Sequence, residues 1–401
     1  MLPLEGIKVL DLSHAAAGPC CTMLLADMGA DVVKLEPPGG EIFRYVGGGS
    51  LFINLNRNKR GIVVDVRTES GRDIALKLAA TADVMVESFT PGTLDKLGLG
   101  YDAISRINPG IIYCSISGFG QNGPYRERPA YDPLAQAMSG MMVTTGEPQG
   151  APVRTSASTV DFGSGMLGAY AIAVALWQRQ KTGSGQRIDV ALLDTAIFYT
   201  THLVNRWLHS GELPQRLGSA NVGFAPNQVF DTSDGLIFIA VTTEKSWHSF
   251  CRTLGVEELI DDPRFATNAS RMQHRDQLVT ILQPVIKRYR SRELEAKLLA
   301  VDIPCAPLLN VDGVVSDPQV IARGILLDTL YPDKGKLKLT RHPVLFSRTK
   351  PQIRHRAPLL GEHTAAVLGE LGYSPAEVNQ LAASGIIFLH NQQTASGGSR
   401  P

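Results

Sequence analysis

Residues 6–36 read GIKVLDLSHAAAGPCCTMLLADMGADVVKLE. A short run of β-forming residues (Lys8 to Leu12) enters a turn made almost entirely of small side chains. A helix-length apolar segment follows, closed by Gly29, and a second β-forming run spans Asp31 to Leu35. Glycine just past a helix is a common stop, because it accepts a left-handed backbone. The same alternation continues outward through IVVDV (Ile62 to Val66), DVMVE (Asp83 to Glu87), IIYCSI (Ile111 to Ile116) and RIDVAL (Arg187 to Leu192). GRDIALKLAATA is one of the intervening helix patterns. Unbroken Val/Ile runs suit strands buried on both faces of a parallel sheet. Strand–helix–strand repetition then implies right-handed crossovers, giving an α/β, doubly wound (Rossmann-like) sheet in a large domain. In such sheets ligands lie beyond the carboxyl ends of the strands, so the loops after Leu12, Leu35, Glu87 and Ile116 are the places to look.

From about Asn221 the texture changes. NQVFDTSDGLIFIAV has the form of a hairpin turning at Ser233-Asp234-Gly235, since Asp-Gly is strong turn chemistry. Helical stretches follow at Trp247–Leu254, His274–Tyr289 and Arg292–Leu299, then extended character in IPCAPLL and after Gly324. This divides the chain into a large domain at 1–220, a smaller α+β domain at 221–320, and a segment 321–401 that returns to the first. The final NQQTASGGSRP is expected to be a loose tail.

The 401 residues include 39 Lys plus Arg against 38 Asp plus Glu, a net charge of +1, with 44% hydrophobic residues. That balance supports a sizeable core and excludes a broad basic face for nucleic acid. The five cysteines form no CxxC pair, which suggests neither a disulfide framework nor a zinc site and fits a reducing compartment. No signal-like start is visible, and the apolar region Met166 to Trp177 is of soluble-core length. The expectation is a cytoplasmic protein with no membrane contact.

Asp161 lies in RTSASTVDFGSGMLGAYAIAVALWQR, where a Ser/Thr-rich stretch meets a glycine-rich turn and then a long apolar helix. One reading is an ordinary helix N-cap. The other is a carboxylate stripped of neighbouring side chains by Gly163 and Gly165, open to a bulky substrate as a nucleophile. Gly163, Gly165 and Gly168 spell G-x-G-x-x-G, but no strand precedes them, as a dinucleotide site requires. The first βα turn also lacks pyrophosphate glycines, so an NAD-dependent oxidoreductase is weakly supported. NRNKRGI (Asn56 to Ile62) gathers Arg57, Lys59 and Arg60, either as a solvated face or as phosphate partners. No GxSxG, HExxH, P-loop or EF-hand pattern occurs.

Several segments together resemble the class III CoA-transferase family, the carnitine CoA-transferase/formyl-CoA transferase group. They include GIKVLDLSHAAAGP, LLADMGADVVKLEPPGG, LNRNKRGIVVDV, ADVMVESFTPGTLDKLGLGY, YDPLAQAMSGMMVTTG, the Asp161 segment, QKTGSGQRIDVALLD and RAPLLGEHTAAVLGELG. The resemblance implies that Asp161 attacks an acyl-CoA thioester, forming a mixed anhydride and then an aspartyl-CoA thioester, with oxyanions met by backbone N–H groups at the helix start. It implies coenzyme contacts at His14, Ala16, Ala17, Arg72, Ser88, Phe89, Lys96, Tyr131 and Asp132. Arg72 and Lys96 would face phosphates. CoA and acyl-CoA are then substrates, and no tightly bound cofactor is expected. Relatives can carry glutamine at Ala16 and arginine at Pro37, and the glycine-tetrad lid of formyl-CoA transferase has no counterpart beyond residues around Gly218 to Gly223. The family also implies an interlocked, ring-like homodimer. A racemase of the same fold resembles this chain but carries a His-Asp pair where Tyr131-Asp132 stands, and tyrosine is a poor acid–base substitute at neutral pH. A non-catalytic CoA-binding protein is a third alternative. The GFGQNGPY segment and Pro152–Arg154 lean toward a succinyl-CoA:dicarboxylate transferase acting on glutarate, citramalate, mesaconate or a similar acid. There Arg154 would either clamp a distal carboxylate or be a surface arginine.

Overall fold

A computed structural model of the chain describes residues 2–332 and 334–390; the expected tail, residues 391–401, lies outside them. Six parallel strands follow the expected runs closely: β1 (Lys8–Asp11), β2 (Asp31–Glu36), β3 (Lys59–Val64), β4 (Val84–Glu87), β5 (Ile112–Ser117) and β6 (Gln186–Ala191). β1 pairs with both β2 and β4, β2 pairs onward to β3, β4 to β5 and β5 to β6. β1 is therefore central, and the order reverses on either side of it. Four helices matter for the site: α1 (Ala17–Asp27), α2 (Asp132–Met138), α3 (Thr159–Thr182) and α4 (Leu192–Tyr199).

The chain splits into two compact units. One comprises the chain up to Met141, Arg154–Leu208 and the chain from Arg323 onward; the other comprises Met142–Val153 and His209–Ala322. These limits differ from boundaries at 220 and 320, and the difference has a physical cause. Arg216 donates to the carbonyls of Val143, Glu147 and Gly150, and the Gly218 N–H donates to the Gly146 carbonyl. Residues 142–153 and 209–220 are thereby tied together. The smaller unit holds the expected hairpin, β7 (Asn227–Asp231) and β8 (Leu236–Ala240), with β9 (Cys305–Pro307) antiparallel to β8. Its core gathers Phe230, Ile239, Trp247, Phe250 and Leu282.

In the larger unit, β10 (Leu326–Tyr331) and β11 (Gly335–Thr340) form a separate ribbon. β12 (Ile387–Phe388) adds an antiparallel seventh strand on β3. Against the expectation that no segment reaches bilayer-spanning length, α3 is long and apolar enough to do so by length and composition alone. Its inner face nevertheless packs on the sheet and on α1, where Val160, Ile172 and Leu176 join Cys21, Ile112 and Ile116 in one core.

The glycines of α3 explain how closely these elements meet. A Cβ at Gly165 would lie 2.6 Å from the Ala17 carbonyl oxygen, and one at Gly163 would lie 1.7 Å from the Tyr199 hydroxyl. The glycine run serves helix packing, not substrate access, and G-x-G-x-x-G here is a helix interior rather than a nucleotide turn. Gly165→Ala is expected to separate α3 from α1, lowering stability by about 1–3 kcal/mol, read as a fall in the urea midpoint with the m-value unchanged.

Candidate active site

The loop between β1 and α1 is held from beneath by buried charges. Asp11, at the end of β1, accepts hydrogen bonds from Ser13 N–H (2.9 Å), Ser13 Oγ (2.5 Å), Thr22 Oγ1 (2.7 Å) and Lys59 Nζ (2.9 Å). Burial opposes its charge, but Lys59 and Lys34 overcome that and hold the carboxyl well below its ordinary range. Lys34 donates to the Ser13 carbonyl at 2.8 Å, and Lys59 to the Pro19 carbonyl and Asn56 Oδ1. Glu41 Oε2 accepts from Ala15 N–H at 3.1 Å, and Ala15 itself sits in the left-handed region at φ +65°. NRNKRGI is thus neither a solvated face nor a phosphate site throughout. Arg57 is buried against Asp27 at 2.6 Å, Lys59 is buried against Asp11, and Arg60 pairs with Asp31 and Glu370.

His14 leads from this loop into a cavity of about 800 Å³. Ser88 Oγ accepts from His14 N–H at 3.0 Å and lies 3.3 Å from His14 Nδ1, and the His14 and Phe89 rings stand 5.2 Å apart. Burial and Lys34 lower the His14 pKa, favouring a neutral imidazole. Glu87 fixes the second loop by accepting from Phe89 N–H at 2.8 Å; burial raises its pKa to about 6. The cavity brings together His14, Phe89 and Lys96 with Pro37, Pro38 and Arg67. Arg72 is not among its walls. A cation that the sequence reading did not single out, Arg67, five residues earlier, lines the cavity; its side chain is 75% exposed and pairs with Asp65 at 2.7 Å. Its only signal in the sequence is a position just past β3, at the carboxyl edge.

Ala16 and Ala17 are buried on the other side of the loop. Ala16 and Cys20 pack with Phe162, so the α1 start faces the first turns of α3. Asp161 sits here. It does not cap its helix: Ser158 holds that position, and Asp161 is the third helical residue. The cap comes from Asp132, whose Oδ2 accepts from Val160 N–H at 2.8 Å and Asp161 N–H at 3.1 Å, while Gln136 Nε2 donates to Oδ1. Burial first, and the charge of Asp132 second, raise the Asp161 pKa to about 7. The neighbouring Cys20 thiol is pushed up to about 12, by burial and then by Cys21.

Asp132, 4% exposed, serves as the cap of α3 and does not wall the cavity, while its neighbour Tyr131 is 66% exposed. The two do not converge as an acid–base pair. At the α3 start the Val160 and Asp161 amides donate to Asp132, and the Phe162 N–H just after Asp161 donates to the Ser158 carbonyl at 3.0 Å. Arg154 is exposed, and no hydrogen bond or ion pair engages it among the described residues.

The description of CoA-transferase family III matches residues 4–364. The chain belongs to CoA-transferase family III. It is similar to the succinyl-CoA:glutarate CoA-transferase of Mus musculus, at 38% identity over 97% of this chain and 91% of the mouse protein. The succinate–glutarate CoA-transferase of Agrobacterium fabrum is 37% identical over 92% of this chain and 96% of its own. A solved CAIB/BAIF family protein from Brucella suis superposes with a TM-score of 0.85 at 39% identity, covering 92% and 99% of the two chains. As a family III CoA-transferase, the protein uses CoA thioesters as substrates.

The raised pKa of Asp161 has a measurable consequence. Between the ordinary aspartate value of 3.8 and about 7 the folded state holds a proton that the unfolded state has lost. Stability therefore falls as pH rises through that window. Asp161→Asn is expected to melt higher than wild type at pH 8, by at most about 4 kcal/mol of stability, with the gain gone near pH 4. Asp132→Asn keeps the cap acceptor and removes the like charge, so it moves the wild-type window to lower pH.

Proposed function

We propose that this transferase moves CoA from succinyl-CoA to a dicarboxylic acceptor such as glutarate, through covalent intermediates on Asp161. The observation that carries this reading is a carboxylate destabilised by burial and by Asp132, set against the loop whose other side opens on the cavity. Acylation converts that costly anion into an uncharged anhydride, so burial disfavours the covalent state less than the free carboxylate. The mouse and Agrobacterium relatives, a succinyl-CoA:glutarate and a succinate–glutarate CoA-transferase, support the succinyl and glutaryl assignments.

In the first step an Asp161 oxygen attacks the thioester carbonyl, the C–S bond breaks and CoA leaves as thiolate, giving a succinyl-aspartyl anhydride. The thiolate then attacks the aspartyl carbonyl and releases succinate, leaving an aspartyl-CoA thioester. The acceptor carboxylate displaces the thiolate to form a second anhydride. Return of the thiolate to the acceptor's acyl carbon restores the Asp161 carboxylate. Each addition places negative charge on an oxygen. The amides of Ala16, Ala17 and Gly18 open α1 without a partner among the described residues, and they are the donors proposed for that charge.

In the cavity, Lys96 and Arg67 are assigned to the coenzyme's phosphates and Phe89 with His14 to its pantetheine or adenine. Arg154 is assigned to the acceptor's distal carboxylate. The reading also carries a homodimer of interlocked subunits in the cytoplasm. Exposed Tyr170, Trp177 and Phe198 in the larger unit support a subunit interface.

Incubation with succinyl-CoA followed by intact-mass measurement should reveal an adduct trapped by hydroxylamine or borohydride on Asp161 alone. Turnover in an Asp161→Ala variant with no adduct would end the covalent reading. Arg67→Ala should raise KM for succinyl-CoA about 5–10-fold, while Arg72→Ala stays within about twofold. Equal effects of the two variants would return the phosphate role to Arg72.

A further inference from the structure

One wall of the cavity carries an acceptor that nothing among the described residues satisfies. Glu41 is 4% exposed, and its Oε1 has no hydrogen-bond partner among the described residues. Its other oxygen accepts from Ala15 N–H and stands 3.5 Å from Lys34 Nζ. Its backbone N–H donates to Glu36 Oε2, and Glu36 in turn holds Arg44. The side chain is thus immobilised, with one oxygen spent on the loop and one left over. A buried carboxylate oxygen without a donor is costly, and such orphans are rare in folded proteins. Glu41 walls the cavity together with Ser13 and His14.

We infer that the free oxygen of Glu41 is a coenzyme contact, accepting a hydrogen bond from an amide N–H of the pantetheine arm. The inference rests on the reading of this cavity as the CoA site. The charge pattern selects that part of the ligand. Coenzyme A carries its negative charge on the pyrophosphate and the 3′-phosphate, which a carboxylate repels and which Arg67 and Lys96 attract. The pantetheine arm is uncharged and offers two amide donors. Glu41 is fixed to Ala15, next to His14 and one residue before the Ala16–Ala17 pair that packs toward the Asp161 helix. A thiol delivered to Asp161 draws the arm past this point. Glu41 therefore couples two tasks: one oxygen sets the left-handed turn at Ala15, and the other reads the ligand that lies on it.

The test uses calorimetric binding of coenzyme A and of adenosine 3′,5′-bisphosphate, which lacks the arm, to wild-type protein and Glu41→Gln. The glutamine retains a carbonyl for Ala15 N–H but presents an NH2 donor where the free acceptor stood. Coenzyme A is expected to bind about tenfold more weakly, with bisphosphate affinity within about twofold of wild type. Unchanged CoA affinity, or equal losses for both ligands, overturns the inference. A measurement on wild type alone stands apart from any folding defect in the variant. Two CoA analogues, each with one pantetheine amide replaced by an ester, remove the donors one at a time. One of them should bind about tenfold more weakly than CoA; if neither does, Glu41 takes no amide. Wild-type protein that binds neither CoA nor the bisphosphate would instead overturn the reading of the cavity itself.

Discussion

The buried contact between Asp11 and Lys59 is the constraint on which the site rests. Both side chains are fully inaccessible, on strands that are not neighbours in the sheet, so the pair spans β2 between them. Breaking a buried pair by removing one partner typically costs about 3–5 kcal/mol, because the other charge is left stranded. Here the pair also organises its surroundings. Asp11 takes Ser13 and Thr22, Lys59 takes Pro19 and Asn56, and Lys34 takes the Ser13 carbonyl. A loop of small residues has little side-chain packing of its own, so its shape is imposed from below by charges that water cannot reach.

A second carboxylate pair works by opposition rather than attraction. Asp132 reaches from α2 to cap α3, and in doing so it brings its charge to Asp161. The same hydrogen bonds that stabilise the helix start make ionisation of its third residue expensive. Desolvation contributes more than this repulsion to the elevated pKa of Asp161.

Most of the strands were legible because β-branched and apolar residues cluster in β2 to β5, buried nearly throughout, a pattern that suits a sheet covered on both faces. β12 was not, since two residues near the chain's end carry no periodicity. Asp161 stood out in the sequence, but its setting did not. Its cap comes from a residue 29 positions earlier, and glycines inside a helix read like a loop. The loops after β1 and β4 could be named from the strand pattern, and they carry His14, Ser88 and Phe89, whereas Lys96 came only from the family resemblance. Arg67, just before the helix Glu69–Thr81, and Arg72, within its first turn, could not be told apart in the sequence as cavity-lining cations. Glu41 gave no sign at all, being an acidic residue in a glycine-rich turn whose value lies in one unsatisfied atom.

Cys20 shows what the burial around Asp161 protects against. An activated acyl group would be intercepted by any adjacent thiolate, diverting it into a dead-end modification of the enzyme. With its pKa near 12, Cys20 is ionised in only about one molecule in 10⁵ at pH 7. A sulfur atom can therefore fill the gap beside the acid as inert packing, leaving the incoming cofactor's own sulfur without a rival.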